Sequence, residues 1–230
     1  MEKERAGLPR SYGFSGMSFK HRLRSVFVAG VVLIASAVAV AAEPYRIVGF
    51  GDSLMAGYGL DAGQSFPEKL EKALREKGHD VVIAKAGVSG DTTSGGLSRL
   101  DWSVPEGTRL VILELGANDM LRGIGPDITE KNLDAMISRL KERNIAVLLA
   151  GMRAAPNLGP DYQAAFDAIY PRLASKHGIA LYPFFLDGVA ADRAFLLEDG
   201  MHPNAAGIDR MVEKMLPQVE KLIAAGPGNA

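Results

Sequence analysis

The sequence of 230 residues is long enough for one well-filled domain, and its composition excludes several classes of protein. Apolar residues make up 47% and charged residues 23%, as in an ordinary globular chain and unlike a disordered one. The 26 basic and 27 acidic residues nearly balance, so the composition gives no sign of a nucleic-acid partner. Cysteine is absent, which excludes disulfides, thiol nucleophiles, zinc–thiolate sites and iron–sulfur clusters.

Residues 1–42 have the pattern of a secretory signal peptide. A basic stretch that ends at Arg24 precedes an uncharged apolar run, Val26–Ala42, whose last residues are small. This pattern predicts a periplasmic or secreted protein, cleaved near Ala42 and left without a membrane anchor. An uncleaved anchor is the alternative, because the run is at the lower limit of what crosses a bilayer. Met17, just before the basic stretch, is an alternative start.

Strand-like and helix-like segments alternate along residues 43–225, and residues 226–230 are predicted to be a flexible tail. Short apolar runs predict strands at Tyr45–Phe50, Val81–Ala84, Arg109–Leu113, Ile145–Ala150 and Ile179–Tyr182. Apolar residues at helical spacing predict helices at Phe66–Lys77, Thr129–Arg143, Tyr162–Lys176 and Asn204–Ala224. Buried strands separated by amphipathic helices predict a parallel sheet covered on both faces. We therefore expect an α/β protein, a three-layer α/β/α sandwich with a doubly wound parallel sheet.

A serine follows the first predicted strand, in the sequence Gly51-Asp52-Ser53-Leu54. This is the position to search, because chemistry in such folds lies beyond the carboxyl ends of the strands. The turn is not a dinucleotide fingerprint, since Leu54 replaces the third glycine, nor a G-x-S-x-G elbow, since Met55 replaces the second. The Ser53 hydroxyl can be a nucleophile or a helix cap. The residues alone leave both interpretations open.

The next two predicted strands are also followed by residues that suit a catalytic site. Gly90 lies in a small-residue loop where a backbone N–H can approach a ligand, or where the chain forms an ordinary turn. Asn118 can stabilise an oxyanion through its amide, or it can close an Asx turn. Taken singly, neither residue identifies a site.

An aspartate and a histidine lie three residues apart near the end of the chain, in Asp199-x-x-His202-Pro203. One tight turn can place the Asp199 carboxylate against one imidazole nitrogen and leave the other free as a general base. A metal site is the alternative, although two ligands are too few to form one. His79 and His177 instead adjoin glycines where predicted helices end, which favours surface capping positions.

Together these blocks resemble the SGNH (GDSL) hydrolase family. The similar segments are Gly51-Asp52-Ser53-Leu54, Gly90, Gly116-x-Asn118-Asp119 and Asp199-x-x-His202-Pro203. The resemblance covers nearly the whole predicted domain and is greatest for the branch of periplasmic acyl-CoA thioesterases, lysophospholipases and arylesterases. That branch is matched by Ser89-Gly90-Asp91-Thr92, by Glu114-Leu115-Gly116-x-Asn118-Asp119-x-Leu121-Arg122-Gly123 and by Ala168-Ile169-Tyr170-Pro171.

The resemblance implies a flavodoxin-like SGNH fold that hydrolyses carboxylic esters and thioesters through an acyl-enzyme, with no cofactor and no metal. It implies that Ser53 is the nucleophile, that His202 is the general base and that Asp199 orients His202. It also implies an oxyanion hole formed by the N–H groups of Ser53 and Gly90 and by the side-chain amide of Asn118. The expected partner is a small acyl ester or thioester, bound by a monomer.

The acyl pocket is expected in the loops after Asn118 and after Ala150. Its candidate wall residues are Leu121, Ile124, Met152 and Leu158, for each of which simple packing is the alternative. Two other functions remain open at this point: a carbohydrate O-acetylesterase that uses the same residues, and a non-catalytic periplasmic lipid-binding protein.

Overall fold

The computed structural model describes residues 43–226. The predicted signal peptide, residues 1–42, and residues 227–230 of the predicted tail lie outside the described residues. The strands are β1 (Tyr45–Gly51), β2 (Val81–Gly87), β3 (Leu110–Glu114), β4 (Ala146–Ala150) and β5 (Ala180–Tyr182). Each begins within a residue of its predicted start, because continuous apolar runs mark strands that are buried in a parallel sheet.

Helices fill the connections between the strands. They are α1 (Ser53–Ala56), α2 (Phe66–Glu76), α3 (Thr93–Ser103), α4 (Ala117–Leu121), α5 (Pro126–Glu142), α6 (Pro160–Asp167), α7 (Ile169–His177) and α8 (Ala205–Ala225). Single 3-10 turns occur at Pro156–Leu158 and Arg193–Phe195. Within residues 43–226, no helix combines the length and the apolar character needed to cross a membrane.

The five strands form one parallel sheet in the order β2-β1-β3-β4-β5. This order confirms the predicted doubly wound sheet of an α/β sandwich. The order reverses between β1 and β3, so that a crevice opens beyond the carboxyl ends of these two strands. The turns after β1 and β3 therefore lie side by side, and Gly51 at the end of β1 is also in register with Gly87 at the end of β2.

The core lies between the sheet and two groups of helices. Every residue of β3 is buried, and so are the apolar residues that α5 turns towards the sheet. On one side α2 packs against α8, and on the other α5 packs against both α3 and α7. Helix α2 begins with a capping box, in which Glu68 accepts from Ser65 N and from Ser65 Oγ.

The prediction of one helix over Tyr162–Lys176 is wrong, because the structure has two helices that meet at Ala168. Pro171 lies in the first turn of α7. Its ring has no N–H to donate and would clash with the carbonyl of Asp167 in a continuous helix. A new helix that starts just before the proline avoids both costs.

Three helices had no predicted bounds: α1, α3 and α4. Helices α1 and α4 have only four and five residues, too few to show a periodic apolar pattern. Helix α3 contains two adjacent glycines, and its start is held by polar contacts instead. Thr92 caps it by accepting from Gly95 N, and Thr93 donates through N and Oγ1 to the buried Asp119 carboxylate.

Candidate active site

Ser53 lies on a tight turn between β1 and α1. Asp52 caps the helix, because its Oδ1 accepts from Leu54 N at 3.0 Å. Gly57, with φ of 78°, ends the helix after a single turn. The turn needs a glycine at position 51 as well, since a Cβ there would collide with the carbonyl and the side chain of Glu114. These restraints place the Ser53 hydroxyl beyond the carboxyl end of β1.

The segment that carries His202 is a short hairpin held by backbone hydrogen bonds. Leu197 N donates to the His202 carbonyl at 2.8 Å, and Leu196 forms a bridge with Pro203. At the tip, Asp199 Oδ1 accepts from Met201 N at 2.9 Å and from His202 N at 3.0 Å. Aspartate favours such turns because its carboxylate accepts N–H groups two and three residues later. The loop therefore presents Asp199 and His202 together.

The structure brings Ser53, His202 and Asp199 into one hydrogen-bonded row. Ser53 Oγ is 2.9 Å from His202 Nε2, and His202 Nδ1 is 2.6 Å from Asp199 Oδ2. An ionised carboxylate only accepts hydrogen bonds, so the proton of the neutral imidazole belongs on Nδ1. His202 Nε2 then has a lone pair directed at the Ser53 hydroxyl. This is the arrangement of a nucleophile, a general base and an orienting acid.

Asp199 is held in its ionised form by its own loop. The backbone N–H groups of His202 and Met201, followed by the His202 side chain, lower the pKa of Asp199 to about 2. The carboxylate is therefore charged at neutral pH.

Tyr58 is a residue of the site that was missed in the sequence. Its ring centroid lies 4.5 Å from that of His202, with the two rings tilted by 37°. The Tyr58 ring is 52% exposed, so that part of it remains open to solvent beside the imidazole. The only signal in the sequence is an aromatic residue shortly after the nucleophile, which also describes many packing residues.

The predicted oxyanion donors belong to the segments that follow β1, β2 and β3, three neighbouring strands of the sheet. Ser53 is the first residue of α1, so its N–H has no partner within the helix. Asn118 Nδ2 donates one hydrogen to Asp52 Oδ2 at 3.0 Å, and this contact identifies the nitrogen end of the amide. The second hydrogen on that nitrogen is available for a ligand.

The loop with Gly90 is joined to the Ser53 turn through the backbone. Val88 N donates to the Gly51 carbonyl at 3.0 Å, and Asp91 N closes a turn by donating to Val88 O at 3.1 Å. Gly90 has φ of 81°, a backbone conformation that favours glycine. Its carbonyl accepts from Arg122 Nη2 at 2.6 Å, so the peptide that follows Gly90 is fixed from the other side of the crevice.

Arg99 is a buried cation that ties these turns together. Its Nη2 donates to Gly51 O at 2.8 Å, its Nη1 to Ala86 O at 2.9 Å and its Nε to Asp91 Oδ2 at 2.7 Å. The guanidinium also lies over the Phe50 ring, 4.0 Å from its centroid. Arg99 therefore links the segment before Ser53 to the segment after Gly90. The sequence did not indicate this role, because the link depends on Gly51, which is 48 residues from Arg99 along the chain.

A second unpredicted feature is a pair of buried carboxyl groups below the nucleophile turn. Asp52 N donates to Glu114 Oε2 at 3.2 Å, and neither side chain is exposed. Burial raises the pKa of Asp52, although hydrogen bonds from Leu54 N and Asn118 oppose the rise. Burial, followed by the nearby Asp52 charge, raises the pKa of Glu114 well above its usual range. The signal in the sequence was a glutamate at the end of an apolar strand.

The candidate acyl-pocket residues occupy different environments. Leu121 ends α4 and is 60% exposed, whereas Met152 belongs to the buried core. Ile124 and Leu158 are half-buried, and Leu158 packs against the core. The role of these four residues as pocket walls stays a prediction.

The other histidines of the described segment, His79 and His177, contact carboxylates outside this row. His79 Nε2 is 3.1 Å from Glu220 Oε1, and His177 Nε2 is 2.6 Å from Asp134 Oδ1. Among residues 43–226, no group of three or more His, Cys, Asp and Glu side chains is arranged to hold a metal ion.

Comparisons with known proteins agree with this geometry. A model of the GDSL-like lipase/acylhydrolase family matches residues 50–210. The chain is 41% identical to the arylesterase of Vibrio mimicus over 169 residues, which cover 73% of this chain and 84% of that protein. It is 36% identical to the thioesterase 1/protease 1/lysophospholipase L1 of Escherichia coli K12 over 186 residues, 80% of this chain and 87% of that protein.

A solved structure of a related esterase is also similar to this chain. The crystal structure of AlinE4, a SGNH-hydrolase family esterase, has 48% sequence identity and a TM-score of 0.67. The match covers 78% of this chain and 96% of that one. The family match includes all the turns that carry Ser53, Gly90, Asn118 and His202. The chain belongs to the GDSL-like lipase/acylhydrolase family.

Proposed function

We propose that this ester-cleaving hydrolase acts on carboxylic esters and thioesters through an acyl-enzyme formed on Ser53. Ser53 Oγ attacks the acyl carbonyl carbon while its proton passes to His202 Nε2. Asp199 stabilises the imidazolium that results. The negative oxygen is held by the N–H groups of Ser53 and Gly90 and by the Asn118 amide, each of which donates a hydrogen bond that strengthens as charge develops.

The tetrahedral intermediate collapses when His202 returns the proton to the leaving alcohol or thiol, and the acyl group remains on Ser53. Water then attacks the acyl-enzyme, with His202 as the general base, and releases the carboxylic acid. The same imidazole serves both halves of the reaction, because it is protonated after the first attack and neutral again after the leaving group departs.

The observation that carries this proposal is the hydrogen-bonded row with distances of 2.9 Å and 2.6 Å from Ser53 Oγ through His202 to Asp199. A protein that only binds lipid needs a cavity but has no use for an oriented base on a hydroxyl. The row therefore favours an enzyme over a lipid-binding protein.

Exposed apolar side chains near the site favour acyl substrates over carbohydrate esters. Val88 precedes Gly90 by two residues, Leu121 follows Asn118 by three, and Met201 adjoins His202. All three are exposed. Each methylene that such residues remove from water contributes about 0.8 kcal/mol, or roughly a fourfold gain in kcat/KM per carbon of bound acyl chain.

A series of p-nitrophenyl esters from acetyl to dodecanoyl, together with dodecanoyl-CoA, tests the proposal. We expect hydrolysis that increases with acyl length until the pocket is filled, and loss of turnover in Ser53→Ala. Ser175→Ala is the matched control, since Ser175 is exposed on α7. Activity on acetyl esters alone would favour an O-acetylesterase, and absence of turnover would favour a binding protein. Turnover retained by Ser53→Ala would contradict the covalent route.

We also propose that the protein is exported, cleaved near Ala42 and active as a monomer without a metal. The basic and apolar pattern of residues 1–42 supports export. Intact-mass measurement of the protein purified from the periplasm or the medium gives the cleavage site, and sedimentation gives the oligomeric state. Dialysis against a chelator is expected to leave the rate unchanged, and a loss that added metal reverses would contradict the metal-free proposal.

A further inference from the structure

Glu114 is a buried carboxyl group to which the proposed reaction assigns no role. It ends β3, the strand at the centre of the sheet, and its side chain is inaccessible to solvent. Oε2 accepts one hydrogen bond, from Asp52 N at 3.2 Å. Oε1 is buried and has no hydrogen-bond partner among the described residues. An ionised carboxylate in this position would have one donor where water would supply several, which is a large desolvation cost.

Asp52 has more hydrogen-bond donors than Glu114. Its Oδ1 accepts from Leu54 N at 3.0 Å, and its Oδ2 accepts from Asn118 Nδ2 at 3.0 Å. Two adjacent buried carboxyl groups do not both ionise, and the proton goes to the one with fewer donors. That group is Glu114. The direction of the pKa shifts agrees, because burial and the Asp52 charge raise the pKa of Glu114 well above its usual range.

We infer that Glu114 is a neutral carboxylic acid that fixes Asp52 and, through Asp52, positions the Asn118 amide in the oxyanion hole. This inference rests on the proposed function, since it assigns a use to the Asn118 amide. The Oε2 of the acid accepts from the Asp52 N–H, and because the acid carries no charge, Asp52 is the single anion of the pair. Glu114 is therefore a positioning residue that does not touch the substrate.

The proton matters because it decides which atom of Asn118 faces Asp52. While Asp52 is an anion it only accepts, so it must face the NH₂ group of Asn118. If Asp52 took the proton, it could donate to the Asn118 carbonyl oxygen. The amide oxygen would then occupy the position that Nδ2 has now, and the hydrogen that Nδ2 offers to the oxyanion would be lost from that position. Keeping the proton on Glu114 excludes that arrangement.

Two substitutions separate a neutral acid from an anion. Glu114→Gln keeps the shape and the absence of charge, and its amide oxygen can accept from Asp52 N as Oε2 does. We expect kcat within about threefold of the wild type. Glu114→Leu removes the acceptor of the Asp52 N–H. We expect kcat to fall by about 10-fold to 100-fold with KM nearly unchanged, because an oxyanion donor acts mainly in the transition state.

The effect of Glu114→Leu is expected to be much smaller in an Asn118→Ala background, because both changes act on the same donor. Tyr170→Phe is the matched control, because it removes a different buried polar group close to Glu114. The Tyr170 hydroxyl donates to Leu115 O at 3.0 Å. That control is expected to lower the melting temperature while leaving kcat within about threefold.

Infrared difference spectra test the protonation state without turnover. At neutral pH, wild type minus Glu114→Gln is expected to show the C=O band of a protonated carboxylic acid. Absence of that band, or a loss of kcat in Glu114→Gln as large as in Glu114→Leu, would show that Glu114 is an anion. Unchanged kcat in a folded Glu114→Leu would exclude the positioning role, and if that variant does not fold, Glu114→Gln and its spectrum decide. A wild type that hydrolyses no ester would overturn the proposed function alone, since the band does not depend on it.

Discussion

Replacement of Asp199 by asparagine changes the tautomer of His202 while keeping the shape of the side chain. Asp199 Oδ1 accepts from the N–H groups of Met201 and His202, and Oδ2 faces His202 Nδ1 at 2.6 Å. An asparagine must keep its oxygen on the two backbone N–H groups, so its NH₂ group takes the place of Oδ2. That group donates to His202 Nδ1 and stabilises the tautomer with the proton on Nε2. Such an imidazole cannot accept the proton of Ser53.

The size of the effect follows from the exposure of the pair. In a fully formed protease triad this exchange lowers kcat by about 10⁴-fold, which corresponds to roughly 5 kcal/mol. The Asp199 side chain is 32% exposed here, so water can replace part of the lost interaction. We therefore expect a decrease of about 10²-fold to 10⁴-fold in kcat, with KM within a few fold of the wild type.

The assay is steady-state hydrolysis of p-nitrophenyl butyrate, with circular dichroism and urea unfolding to verify the fold. Asp134→Asn is a matched control, because Asp134 contacts His177 Nε2 at the same distance of 2.6 Å. His177 ends α7, before the amino end of β5, and is thus at the opposite edge of the sheet from Ser53. The control is expected to keep its rate. A folded Asp199→Asn variant with kcat within about threefold of the wild type would refute the assignment of Asp199 as the orienting carboxylate.

Four further predictions follow from the contacts of the site. Asn118→Ala should lower kcat by about 100-fold without change in the circular dichroism spectrum, and an unaltered kcat would remove Asn118 from the oxyanion hole. Tyr58→Leu should reduce the ratio of phenyl-ester to ethyl-ester kcat/KM several-fold, because the leaving group must pass beside the Tyr58 ring to reach His202. Tyr58→Phe should keep this ratio. Equal losses of kcat/KM on both esters would limit Tyr58 to supporting His202. Arg99→Met should lower the free energy of unfolding in urea by about 3–5 kcal/mol, since it leaves Asp91 uncompensated, and a change below 1 kcal/mol would contradict the importance of this buried pair. The pKa of Asp199 is about 2 in the folded protein, below its value in the unfolded chain. The Asp199 carboxylate therefore stabilises the fold above the unfolded pKa, and this stabilisation is lost as the pH falls towards 2. Asp199→Asn should flatten the dependence of the free energy of unfolding on pH in this range, and an unchanged dependence would contradict the role of Asp199.

The sheet could be predicted because its signal is local. Apolar runs such as Arg109–Leu113 are short, uninterrupted and bounded by turn residues, so that they indicate buried parallel strands. The bounds of helix α3 could not be predicted, because its start also depends on contacts between Thr93 and Asp119, which are 26 residues apart. The break at Ala168 could have been foreseen from Pro171, whose missing N–H disrupts a continuous helix.

The residues of the site also fall into two groups, those that the sequence predicts and those that it does not. The positions of Ser53 and Asn118 could be predicted from short motifs at strand ends, where a parallel sheet gathers its chemistry. The position of His202 could be predicted from the Asp-x-x-His-Pro motif just before the last helix. Glu114 and Arg99 could not be assigned a role, because each joins the Ser53 turn across a long sequence separation: Glu114 is 62 residues from Asp52, and Arg99 is 48 residues from Gly51. Motifs identify the groups that face the substrate, whereas the groups that hold them in place become visible only when the turns are brought together.

Labelling of the protein with a reactive fluorophosphonate, followed by peptide mass spectrometry, tests the nucleophile most directly. We expect one phosphonyl group per chain, on the peptide that contains Ser53, with fluoride as the leaving group. We also expect His202→Ala to be labelled far more slowly and Ser53→Ala not to be labelled. A stoichiometric label on another residue, or ester hydrolysis in Ser53→Ala at the wild-type rate, would contradict the central claim that Ser53 carries the acyl group.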